Sequence, residues 1–355
     1  MVAEEALAKK LARFVPTTIK ADLSVLSGAE KEALKILVKA AEKMDLLFWK
    51  QVSEEGLKML DQVKALKGGY AEKLKKYLLI NYGVWDRLDG HEPFIGDKKK
   101  PEGANYYPAD MTKEEFEKHI KENPGDKDAF QSNFTVIRRG GDGKIKAVPY
   151  SEEYGEVLKE AAELLNKAAG LSKNESLKKY LIARADAFLR NDYFESDMAW
   201  MDVSESAIEV TVGPYEVYED SLFNYKAAFE AFITVVDKKE TEKLHMIEGL
   251  LDELEKNLPI ADEHKNFARG KSSPLRVVNL VFSSGDTRAG VQTVAFNLPN
   301  DERVREAKGS KKVLLKNVGE AKFKRSLIPI AKEVVDKSLF KYITFNAYFN
   351  DVLMG

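Results

Sequence analysis

The 355-residue chain is 44% hydrophobic and 32% charged, enough to fill a core and cover it with a soluble surface. Its 56 basic and 58 acidic residues leave a formal charge of −2, so no broad positive field collects phosphate backbone or anionic lipid, and neither nucleic acid nor membrane is an expected partner. With no cysteine, no uninterrupted apolar run of about 18 residues and no secretory apolar block in residues 1–14 (MVAEEALAKKLARF), the expectation is a cytoplasmic protein without disulfides or thiol chemistry.

In chain order, the first strong signal is a long amphipathic helix over residues 27–51. Ser27 and Glu30 form a capping box there, and Leu34, Leu37, Val38, Ala41, Met44 and Phe48 recur at helical spacing. A Gly/Pro/Asn-rich stretch follows at 81–110, too long for a plain connection, and so functional or packed as a structured crossing. Thr112 with Glu115 opens a short helix, residues 154–169 carry an apolar face, and Ser172 with Glu175 is expected to cap a helix reaching about 190. Two strands at 134–139 and 144–150 flank Gly140-Gly141-Asp142-Gly143 as a hairpin.

The second half is richer in strands: 208–218 (IEVTVGPYEVY), 227–236, 275–282, 292–298 and 312–315. A helix at 240–257, with Leu244, Ile247, Leu251 and Leu254 in phase, divides them, and another at 321–337 leads to an aromatic tail. Helices followed by mostly sequential strands predict an α+β fold with a mixed or antiparallel sheet or a small barrel.

Few segments offer chemistry. The Gly-rich loop 283–290 (SSGDTRAG) lacks the Lys-Ser/Thr of a phosphate loop, since Val291-Gln292 follows it. His91, His119, His245 and His264 are scattered, with no i, i+4 pair for zinc, so no metal ligands are assigned. Acidic residues gather around 195–220, where a paired-carboxylate glycosidase site and a solvated acidic rim remain alternatives. Within 213–218 (GPYEVY), Glu216 and Tyr218 lie two apart on a predicted strand and would share a face. A carboxylate there could hold a substrate ammonium and a phenol could donate to a developing oxyanion, although an ordinary sheet face with alternating polar residues explains the same spacing. Asn297 and Asn300, flanking Leu298-Pro299, could grip an extended peptide backbone or simply form a turn.

These strings, in this order, resemble the dipeptidyl peptidase III family of zinc metallopeptidases. The resemblance rests on residues 14–22 (FVPTTIKAD), 44–51 (MDLLFWKQ), 85–89 (WDRLD), 103–115 (GANYYPADMTKEE), 208–232 (IEVTVGPYEVYEDSLFNYKAAFEAF), 285–290 (GDTRAG) and 293–301 (TVAFNLPND). It implies two lobes about a cleft, a lower one with a small β-barrel or mixed sheet surrounded by helices and a helical upper one. On that plan residues 1–236 and 275–318 belong to the lower lobe, 237–274 is a helical segment of the upper lobe, and 319–355 begins the upper lobe. The resemblance further assigns Tyr218 to catalysis, as the phenol facing the tetrahedral intermediate, and Glu216, Asn297 and Asn300 to peptide binding.

The family's zinc helix, His-Glu-x-x-Gly-His, does not occur in these 355 residues. The expectation is therefore the N-terminal portion of a dipeptidyl peptidase III-like exopeptidase that releases dipeptides from peptide N-termini. It would supply the peptide groove and the oxyanion tyrosine, with zinc held by a C-terminal segment or chain, and would be inactive alone. The alternative is a non-catalytic peptide-binding or regulatory module of the same descent. On either view the purified chain should bind zinc no better than an ordinary protein surface; stoichiometric zinc surviving dialysis would contradict this.

Overall fold

The computed structural model describes residues 2–248, 250–265 and 274–354. An N-terminal helix α1 (Glu4–Leu11) precedes α2 (Gly28–Val52), α3 (Glu54–Ala65) and α4 (Gly69–Asn81). The capping box of α2 is present as read: Ser27 accepts from the Glu30 N–H, and Glu30 reaches back to the Ser27 N–H. Helices α3 and α4 each bury a short stripe at helical spacing, Gly56, Leu60 and Val63 in one and Ala71, Leu74, Leu78 and Asn81 in the other, in which glycine, alanine and asparagine dilute the apolar signal.

The 81–110 stretch is a packed crossing. It carries a minimal ladder of β1 (Trp85–Asp86) and β2 (Glu92–Pro93), and buries Trp85, Phe94, Tyr106 and Tyr107. Next come α5 (Lys113–Glu122), capped by Thr112, α6 (Lys127–Gln131), the hairpin β3 (Thr135–Arg139) with β4 (Ile145–Pro149), α7 (Tyr150–Glu153), α8 (Gly155–Leu171), α9 (Glu175–Arg190) and α10 (Phe194–Met201). The cap of α9 is Asn174, whose side chain accepts from the Leu177 N–H; the expected cap Ser172, two residues earlier, instead accepts from the Asn174 N–H. An Asn one residue before the helix needs no connecting turn, so it displaces the serine.

The core element is a five-stranded mixed sheet, in the order β5 (Ile208–Glu216), β6 (Ala228–Val236), β7 (Leu275–Gly285), β9 (Lys311–Leu315) and β8 (Ala295–Leu298). Only β7 and β9 run parallel. The remaining helices are α11 (Lys238–Glu248), α12 (Leu251–Lys256), α13 (Glu302–Lys308), α14 (Lys316–Lys322), α15 (Ile328–Val334), which follows a π-helical turn, and α16 (Phe345–Met354). The helix expected over 240–257 is thus two, and its side chains at Leu244, Ile247 and Leu251 lie outside the described ones. Its first turn leans on the sheet, where the Thr241 hydroxyl accepts from the Val277 N–H at 3.1 Å.

The sheet curls strongly. Flat, β6 and β8 would stand three strand spacings apart, about 14 Å, yet the rings of Phe232 and Phe296 stack with centroids 4.2 Å apart. Helix α2 lies between the sheet and α8 and fastens strand ends to itself. Gln51 donates to Ala227 O (3.1 Å) and accepts from the Phe229 N–H (2.8 Å), while Asp45 accepts from the Gly285 N–H (3.2 Å). Gly285 has φ +72°, and a Cβ there would fall 2.1 Å from Phe229 O, so only glycine permits this approach.

Lys226, fully buried at the start of β6, donates to Phe130 O (2.6 Å), Ser132 O (2.8 Å) and Thr135 Oγ1 (2.9 Å). All three ammonium hydrogens are thereby used, and the ladder is tied to the α6–β3 connection. Lys226→Met, similar in length but without donors, should cost about 2–5 kcal/mol by leaving buried acceptors unsatisfied. Urea unfolding measures it, and a loss below about 1 kcal/mol would show that the ammonium is dispensable.

Candidate functional site

The site forms where the curl brings the two edges of the sheet together. Four strand spacings, about 19 Å, would separate β5 from β8 in a flat sheet. Instead the Asn300 side chain, two residues past β8, donates to Tyr215 O on β5 at 3.0 Å. The same side chain lies close enough to the Glu216 carboxyl to lower its proton affinity. A bulge between Pro214 and Glu216 turns the end of β5 just before that point. The register there also needs Gly213 at φ +148°, since a Cβ would lie 2.6 Å from the Arg184 guanidinium packed behind it. Glu216 and Asn300, both singled out from the sequence, are therefore neighbours.

Tyr218 and Asn297 stand apart from this pair. The strand ends at Glu216, so the two-residue period that put Tyr218 on its face does not reach Tyr218. The ring is 77% exposed, and among the described residues its hydroxyl has no hydrogen-bond partner. Asn297 sits on the open edge strand β8, opposite Lys312 in the register and exposed like Ala295, whereas Leu298 turns inward. Between the two asparagines the Leu298–Pro299 peptide is cis.

Beyond Tyr218 the chain is anchored by charge. Glu219 is buried and accepts from Arg87 at 2.7 Å, with the Lys100 ammonium 2.9 Å from its other oxygen. Despite burial, these two cations hold its carboxyl down at about 2. Asp220 folds the following turn, accepting from the N–H groups of Leu222, Phe223, Tyr225 and Lys226 and from the Tyr107 hydroxyl.

Two further acids complete the electrostatics and were not found by sequence reasoning. Glu230 on β6 is 97% buried, lying in register between Gly213 and Gly285. Burial, then Asp286 and Glu216, hold its carboxyl well above the ordinary range, against one N–H from Thr287. Asp286, in the short turn after β7, is pushed up to about 7 by burial first and then by Glu219, against Arg87. Burial likewise raises Glu216, offset by Asn300. The only sequence signal for Glu230 is a glutamate inside the apolar run 227–236; Asp286 lies in GDTRAG, which was excluded as a phosphate loop and left without a role.

Three carboxyls thus share one region while the nearest cations are committed to Glu219. Such a region attracts an ammonium and repels a carboxylate. Among the described residues no group of three or more His, Asp or Glu is placed to hold a metal ion.

Residues 128–354 match Peptidase family M49. The chain is 38% identical over 398 aligned residues to a protein of Arabidopsis thaliana named Nudix hydrolase 3, covering 98% of this chain and 51% of that protein. It is 26% identical over 233 residues to dipeptidyl peptidase 3 of Mus musculus, covering 64% of this chain and 28% of that one. Among solved structures it is similar to DPP III from Caldithrix abyssi (TM-score 0.95, 55% identity, 98% of this chain and 66% of that one). It is similar also to dipeptidyl-peptidase III from Corallococcus sp. strain EGB (TM-score 0.92, 45% identity, 100% of this chain and 66% of that one). The chain therefore spans about half the length of the first of these curated relatives and about two thirds of the solved ones.

The raised acid gives a pH test. Between about 4 and 7 the folded chain keeps a proton on Asp286 that the unfolded chain loses, so this group's contribution to stability falls as pH rises through that window and is lowest above 7. Asp286→Asn should therefore raise the melting temperature at pH 8, with the gain shrinking toward zero near pH 4. Destabilisation at pH 8 in thermal scans would mean that Asp286 is needed in its charged form.

Proposed function

Because the chain belongs to peptidase family M49, we propose that it forms the peptide-binding part of a dipeptidyl peptidase III-like exopeptidase, with Glu216, Asn297 and Asn300 holding the substrate's amino-terminal residues and Tyr218 facing the scissile carbonyl. The observation that carries the reading is the closeness of Glu216 and Asn300 at the junction of the sheet's two edges, beside the buried carboxyl of Glu230.

The chemistry follows from donors and acceptors. A peptide's terminal ammonium has three hydrogens to donate; the Glu216 carboxylate and the Asn300 Oδ1 can accept two, the Asn300 amide nitrogen being directed to Tyr215 O. Edge strand β8 leaves one side of its backbone unpaired, so an extended peptide can add to it, with Asn297 beside that edge. Fixing the amine at one end sets which peptide bond lies opposite Tyr218, the basis of counting two residues from the N-terminus. The Tyr218 phenol, without a hydrogen-bond partner among the described residues, would donate to the carbonyl oxygen as negative charge develops on it.

Family M49 peptidases in general use zinc, which polarises the scissile carbonyl and activates water. The described residues do not fit that ion, so no step is assigned to it here.

Titration calorimetry of the 355-residue chain with a tetrapeptide tests the reading. A free amino terminus should bind at least 10-fold tighter than its N-acetyl counterpart, and Glu216→Gln or Asn300→Ala should weaken the free form by about 10- to 100-fold. Tyr218→Phe should leave binding within about twofold. In a protein that also carries the family's zinc segment, that variant should lower kcat about 100- to 1000-fold at nearly constant KM, since its bond belongs to the transition state. Equal binding of free and acetylated peptide would sink the proposal.

A further inference from the structure

Tyr218 poses a problem of placement: it is 77% exposed, lies past the last rung of the β5–β6 ladder, and among the described residues its hydroxyl has no hydrogen-bond partner. A side chain that must meet a reacting carbonyl within a fraction of an ångström needs its position fixed by something. The neighbouring Glu219 is buried and gripped by two cations from distant parts of the chain, Arg87 of the β1–β2 turn at 2.7 Å and Lys100 of the following loop at 2.9 Å.

Arg87 is itself immobilised. Its Nε donates to Asn81 O (2.8 Å), its backbone N–H to Asn81 Oδ1 (2.9 Å), and its guanidinium lies 5.7 Å from the Phe48 ring centroid. Gly290 faces its aliphatic stem closely enough that a Cβ there would lie 3.5 Å from the Arg87 Cδ. The strings WDRLD and GDTRAG, which the peptide-binding reading leaves without a task, thus converge on one guanidinium. Burying three charges to join two loops is an inefficient way to gain stability, because desolvation offsets most of the attraction; what such a cluster supplies is one defined geometry.

We propose that Glu219, clamped by Arg87 and Lys100, is a positioning residue that fixes the backbone carrying Tyr218 at the edge of the peptide groove. The inference rests on the assignment of Tyr218 above. It differs from the task of Asp220, which closes the turn that follows and is needed for the local fold.

Hydrogen exchange on the 355-residue chain tests it. The amides of Asp220 and Ser221 are bonded to Val217 O (3.2 Å) and Glu102 O (2.9 Å) and report whether this segment is held. In Glu219→Gln, which keeps shape and removes charge, both should exchange at least 10-fold faster while amides in the centre of β6 are unchanged. Peptide binding through Glu216 should stay within twofold of the parent. In a protein that also carries the family's zinc segment, kcat should fall toward that of Tyr218→Phe at nearly constant KM. Lys100→Met, which leaves the Arg87 contact in place, should give the same pattern with a smaller change and serves if Glu219→Gln does not fold. Unchanged exchange at Asp220 and Ser221, or equal acceleration across β6, would overturn the proposal and show a role in stability alone. Loss of the free-amine preference in the parent chain would instead remove the peptide-binding reading.

Discussion

The curl of the five-stranded sheet is the constraint from which the rest of the arrangement follows. A flat sheet with the same order would leave Tyr215 and Asn300 far apart; here one amide spans the two edges. The curl has local causes: a bulge near the end of β5, a second bulge in the β6–β7 register, a glycine at each of two close approaches, and the Phe232–Phe296 stack across the concave face. Helix α2 fixes the outcome, since Gln51 and Asp45 bind strand ends that would otherwise expose unpaired backbone.

Charge is distributed in two ways across the buried parts of the molecule. Lys226 has its acceptors, Lys311 reaches Glu209 at 3.2 Å, Arg184 pairs with Asp197, and Glu219 has two cations. Each of these groups has an acceptor or an opposite charge within the chain, although Arg184 keeps two buried nitrogens, Nε and Nη1, without a hydrogen-bond partner among the described residues. Glu216, Glu230 and Asp286 are different: they act on one another, are raised in proton affinity, and are offset by an amide at Glu216, a backbone N–H at Glu230 and, at Asp286, the Arg87 and Lys100 charges already paired with Glu219. Leaving such groups uncompensated costs stability, and a cationic ligand removes the cost when it binds. The boundary between the two kinds of charge runs through residues 216–219, where ligand-facing Glu216 gives way to the clamped Glu219.

Much of this was legible from the residues alone, and the failures have physical reasons. The α2 capping box, the hairpin around Gly140–Gly143 and the sheet strands follow from local pattern, which is what periodicity and turn chemistry encode. Helices α3, α4 and α10 were missed because their short buried faces give weak periodicity, and the cap at Asn174 was misplaced by two residues because serine and asparagine compete for that task. The proximity of Glu216 and Asn300 was foreseen only through the family resemblance, since 83 intervening residues separate them in the chain and no spacing rule crosses that gap. Glu230 and Asp286 were invisible for a related reason: their character comes from burial and from one another, which a sequence pattern does not carry. The shared strand face of Glu216 and Tyr218 does not hold because the strand ends at Glu216, so no two-residue period carries on to Tyr218.

The central claim is that the junction of the two sheet edges receives the amino terminus of a peptide. A crystal structure of the chain with a tetrapeptide bound tests it most directly. The account predicts the terminal nitrogen within hydrogen-bond distance of both the Glu216 carboxylate and Asn300, with the peptide backbone extended along β8 and its second peptide bond facing Tyr218. A peptide bound elsewhere, or bound here with its carboxylate toward Glu216, would contradict it.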